Sequence, residues 1–116
     1  MVFTIVLVLV IIALLVTIVY GSGNKNKSSA LVFFYGNTCP HCKDVDVWMR
    51  ENNVEKILEI QKKEVYDNAA NALELEKAAK QCGLATDSIG VPFLYTPEEI
   101  CIMGTPDIID YLEKQL

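Results

Sequence analysis

The chain has 116 residues, 52% of them hydrophobic, with 10 basic against 15 acidic side chains and a net charge of −5. That length holds one domain. Beyond residue 29 the charges are 8 basic (10 less Lys25 and Lys27) against 15 acidic, a net of −7, and an acidic stretch without a Lys/Arg cluster argues against a nucleic-acid partner.

Residues 1–20, "MVFTIVLVLVIIALLVTIVY", contain no charge. At ~1.5 Å per helical residue they would span ~30 Å, the hydrocarbon thickness of a bilayer, so a single membrane-spanning signal anchor is expected. A cleavable leader would want a basic start and a shorter apolar run, although Gly21 and Gly23 leave cleavage as the alternative. Residues 21–29, "GSGNKNKSS", cannot bury apolar area and read as a flexible tether. Lys25 and Lys27 follow the apolar run, with only the α-amino group before it. The positive-inside rule therefore leans toward a domain on the cytoplasmic face.

The folded domain is expected over 30–116. "ALVFFYG" has the apolar, β-forming character of a strand buried on both faces. A helix should follow at once, with Pro40 in its first turn and Val45, Trp48, Met49 and Asn52 along one face. In "EKILEIQKKEV" Ile57, Leu58 and Ile60 suggest a strand that frays into charge. "NAANALELEKAAKQ", residues 68–81, is rich in helix formers and stops before Gly83, a natural C′ residue. "GVPFLY" and "EICIMG" read as a strand hairpin turning at "TPEE". "TPDIIDYLEKQL" offers Thr105 as N-cap, Pro106 at the first helical position and Ile108, Ile109 and Leu112 as the buried stripe. The order is β-α-β-α-β-β-α, an α/β domain with a mixed four-stranded sheet and flanking helices.

Chemistry concentrates in "NTCPHCK", residues 37–43. A cysteine attacks a disulfide as thiolate, yet an ordinary thiol of pKa ~8.5 is mostly protonated at neutral pH. At a helix N-terminus Cys39 faces unsatisfied N–H groups and the positive end of the dipole, which lowers its pKa. Cys42 lies one turn on, on the same face, within reach of Cys39 or of a mixed disulfide formed there. The spacing thus makes Cys39 the nucleophile and Cys42 the resolving thiol. Pro40 gives up no hydrogen bond there, and His41 can offer a hydrogen bond or a charge to the thiolate. The alternatives are inert buried thiols or a metal pair, for which only His41, Cys82 and Cys101 remain as further soft ligands. Cys82 and Cys101 read as separate core or half-exposed thiols rather than a second redox pair.

A strand running into Cys-Pro-x-Cys at a helix start, then Val-Pro before a hairpin and a closing helix after a Gly, resembles the thioredoxin superfamily. The glutaredoxin-like members are most similar, and the likeness covers Ala30 to Leu116. It implies a thiol-disulfide oxidoreductase with Cys39 and Cys42 catalytic, Pro40, His41 and Pro92 tuning the site, and no tightly bound cofactor or metal. It also implies a cis Pro92, with the Val91 backbone pairing with an extended substrate. The Pro-His dipeptide is similar to that of strongly oxidising members; ~150 mV separates these from reducing ones, about 7 kcal/mol for two electrons. A strong oxidant would suit a compartment where disulfides persist, against the lean of the two lysines.

Glutathione users in the family usually carry Thr-Val-Pro and a later Gly-Gly followed by acids. Here Gly90 replaces the Thr, and "MGTPDI" has one Gly and one acid. A substrate site of Val91, Pro92, Gly104, Thr105 and Asp107 is expected, with protein thiols or disulfides as partners, glutathione as an alternative co-substrate, and a monomer. A different class of function, a docking module or one holding a soft metal through "CPHC", is the alternative.

Overall fold

The computed structural model describes residues 1–20 and 29–116. The first helix, α1 (Val2–Tyr20), has little but apolar side chains, and the Thr4 hydroxyl is satisfied within it by the Met1 carbonyl at 2.7 Å. Among the described residues no helix is long and apolar enough to cross a membrane. The tether expected over 21–29 falls, but for Ser29, outside the described residues.

The remainder runs β1 (Leu31–Tyr35), α2 (Pro40–Glu51), α3 (Val54–Ile57), β2 (Ile60–Glu64), α4 (Ala69–Gln81), β3 (Phe93–Tyr95), β4 (Cys101–Met103) and α5 (Thr105–Gln115). The four strands form one mixed sheet in the order β2-β1-β3-β4. β1 is parallel to β2 and antiparallel to β3, and β3 is antiparallel to β4. A parallel pair needs a crossover, and α2 with α3 supplies it. The layout, an α/β sheet with flanking helices, is consistent with a thioredoxin-like arrangement.

Successive strand residues point to opposite faces, and β1 shows the result. Phe33 packs with Cys42, Val45 and Met49 of α2 and Ile108 and Leu112 of α5. Phe34 points the other way, onto Leu75, Ala78 and Ala79 of α4 and onto Phe93, which it meets edge-on at 6.1 Å between ring centroids. Each fully buried Phe contributes ~1.5–3 kcal/mol. The small Ala78 and Ala79 let α4 lie close against the sheet.

Local chemistry sets the helix limits. Cys39 is the N-cap of α2, in extended conformation, with Pro40 in the first turn. Asn68 caps α4 by accepting the Asn71 N–H at 3.0 Å, and Gly83, at φ 71°, ends it with the Leu84 N–H returning to the Ala79 carbonyl at 2.9 Å.

Four details differ from the sequence reading. Asn53 takes a left-handed φ of 52°, which starts a short helical turn, α3; Ile57 belongs to it, and the strand begins only at Ile60. Asn52 is exposed and caps α2, its Nδ2 donating to the Trp48 carbonyl at 2.9 Å. The N-cap of α5 is Gly104, with Thr105 already helical; Ile108 and Leu112 are fully buried while Ile109 is half-buried. Cys82 and Cys101 are not separate thiols but a disulfide, with Cα atoms 6.1 Å apart.

Candidate functional site

The end of β1 delivers the chain to Gly36 and Asn37, and α2 begins three residues later. Cys39 and Cys42 are joined as a disulfide, Cα to Cα 5.3 Å. Their environments differ: Cys39 is half-buried, whereas Cys42 is 2% exposed and built into the core. The Cys42 N–H donates to Cys39 Sγ at 3.1 Å. This is a free amide of the first helical turn aimed at sulfur, the arrangement that favours a thiolate once the disulfide opens.

Two openings flank the dithiol. On one side the Val91–Pro92 peptide is cis and the Val91 carbonyl lies 3.8 Å from Cys39 Sγ. A groove of about 280 Å³ there is lined by His41, Val91, Pro92, Gly104, Thr105 and Pro106. It gathers four of the five residues expected to contact substrate. Asp107, the fifth, is exposed in the first turn of α5 and outside this lining. Thr105 also has a structural task, its hydroxyl donating to the His41 carbonyl at 3.0 Å and tying the start of α5 to the start of α2. The His41 side chain is 80% exposed, with Nδ1 3.9 Å from Asp44 Oδ2.

On the other side a cavity of about 390 Å³ is lined by both cysteines together with Tyr35, Asn37, Asp46 and Lys62. The Lys62 ammonium reaches Asp46 Oδ1 at 2.7 Å and Glu55 Oε1 at 2.5 Å. Partial burial works against its charge, but these two carboxylates prevail and hold its pKa above the ordinary lysine value. Sequence reasoning missed this wall. Asp46 was within reach of it, standing four residues after Cys42 on the same helical face. Lys62 was not, because its place depends on the β1–β2 register, which sets it opposite Phe33.

The loop bearing the motif is clamped from below by Glu64. Its carboxylate accepts N–H bonds from Tyr66 at 2.6 Å, Asp67 at 3.0 Å and Asn37 at 3.3 Å. Desolvation opposes its charge, yet these amide bonds hold the carboxyl below the ordinary glutamate value. Asn37 Nδ2 adds a bond to Asp67.

Among the described residues no group of three or more His, Cys, Asp or Glu side chains is placed to hold a metal ion. Comparison with family models, with curated proteins and with solved structures gave no match.

Proposed function

We propose that this protein is a thiol-disulfide oxidoreductase of glutaredoxin/thioredoxin-like fold, held at a membrane surface by residues 1–20. The support is the position of Cys39: N-cap of α2, its sulfur accepting the Cys42 amide at 3.1 Å and standing 3.8 Å from the carbonyl of Val91, beside cis Pro92. Few structural roles need a half-exposed sulfur there. Exchange needs all of it.

In the reducing direction the Cys39 thiolate attacks one sulfur of a substrate disulfide, and the other leaves as thiolate. Cys42, giving its proton to solvent, then attacks Cys39 Sγ and releases the second substrate thiolate. Two electrons pass from the Cys39/Cys42 dithiol to the substrate, and the reverse sequence oxidises a substrate dithiol. The groove along Val91 and Pro92 takes an extended peptide, which makes a protein thiol or disulfide the partner, with glutathione as the small-molecule alternative.

Replacing Cys42 with Ser removes the resolving thiol. The full chain carrying Cys42→Ser should then accumulate a mixed disulfide at Cys39 with a peptide disulfide, seen by mass spectrometry. In the reduced wild type, alkylation near pH 6 should label Cys39 well before Cys42. Equal labelling and no trapped adduct would remove the oxidoreductase reading.

A further inference from the structure

The second disulfide lies outside the exchange chemistry, and its place suggests a task. Cys82 is the C-cap of α4 and Cys101 opens β4, opposite Tyr95 of β3. Between them run a stretch without regular structure from Gly83 to Pro92, then β3 and its turn. That stretch ends in Val91 and Pro92, the wall of the substrate groove. Within it the Ser88 N–H and hydroxyl both donate to the Ala85 carbonyl, Leu84 and Ile89 pack in the apolar layer under α4, and Val91 packs against both layers.

The two disulfides are on opposite faces of the sheet. Cys39 and Cys42 belong to the layer beneath α2 and α5, whereas Cys101 packs into the layer beneath α4. With the sheet between them the pairs cannot exchange within one molecule, since exchange demands a thiolate in line with a disulfide sulfur.

Resting on the oxidoreductase reading, we propose that Cys82–Cys101 is a static cross-link and a positioning device: it fixes the end of α4 to β4 and thereby holds the Gly83–Pro92 loop against Cys39. It does not cycle. Its formation takes two electrons and two protons from the thiols and passes them once, during maturation, to an external disulfide, which becomes two thiols.

The test uses the full chain in detergent. Wild-type protein is titrated with dithiothreitol, alkylated and peptide-mapped; Cys39 and Cys42 should be labelled at reductant levels that leave Cys82–Cys101 closed. In the Cys82→Ala/Cys101→Ala variant, KM for a peptide disulfide should rise about 5-fold with kcat changed by less than about 2-fold, the pattern of lost uniform binding. Its Cys39 alkylation rate should match wild type, and amides 84–91 should exchange hydrogen faster. Should the variant fail to fold, wild type is measured before and after the second reduction step, with the same acceleration over 84–91 expected. Unchanged KM and unchanged loop exchange would overturn the proposal, as would Cys82 or Cys101 found joined to Cys39 during turnover. Wild type that turns over no disulfide would instead strike the oxidoreductase reading, while loop exchange would still judge the cross-link.

Discussion

A methyl group on Gly36 would run into the ring of Tyr66, which lies over the loop that leads to Cys39. Tyr66 is 54% exposed, so the ring can swing out, and its contact is lost. Gly36→Ala should therefore cost ~1 kcal/mol, the low end of overpacking penalties, read from the urea midpoint. In a Tyr66→Ala background the same change should cost nothing, since contacting residues couple in a double-mutant cycle. An equal penalty in both backgrounds would place the strain elsewhere. At this scale the dithiol was legible in the sequence because its determinants are local: two cysteines one turn apart, a proline, a helix start. The Lys62 wall was not, because it exists only once β2 pairs with β1. His41 was legible as a neighbour of the thiols, but its exposed ring stands by Asp44.

Glu64 ends β2 and gathers the amides of Asn37, Tyr66 and Asp67, joining the approach to α2 with the approach to α4. Because those amide bonds hold its folded pKa below the ordinary value, the charge adds stability above the ordinary glutamate range. That contribution is lost as pH falls through the lower folded pKa. Glu64→Gln should lower the urea midpoint at neutral pH, and the gap to wild type should narrow as pH falls below the ordinary glutamate range and through the lower folded pKa. A gap that persists in acid would assign the effect to shape rather than charge. β2 itself shows where element-level reading stops. Ile57, Leu58 and Ile60 look like a strand, but the left-handed Asn53 spends Ile57 on a helical turn, and the real strand is the charged run after it. An edge strand in a sheet shows one side to solvent, and charge there guards against edge-to-edge pairing. Hydrophobic pattern alone therefore placed it too early.

At the scale of the whole molecule the cross-link bears on the side of a membrane to which the proposed anchor would hold the domain. No sequence pattern pairs Cys82 with Cys101; they meet because α4 ends above β4, a consequence of the tertiary fold. Closing a segment of 19 residues' separation contributes ~3 kcal/mol, a large share of the stability of so small a domain. Lys25 and Lys27 argue for the cytoplasmic face, but two lysines are a slight bias on insertion. A cytosolic reductant pool keeps structural cysteines as thiols, whereas oxidising compartments let them pair. A domain that depends on Cys82–Cys101 needs a compartment where the pair survives, and with the anchor proposed for residues 1–20 that compartment would be the outer face. Protease added to intact cells should digest the domain, and alkylation before lysis should recover Cys82 and Cys101 as a disulfide. A domain protected until the membrane is opened, with both cysteines recovered as thiols, would return it to the cytoplasm, the side that the two lysines favour.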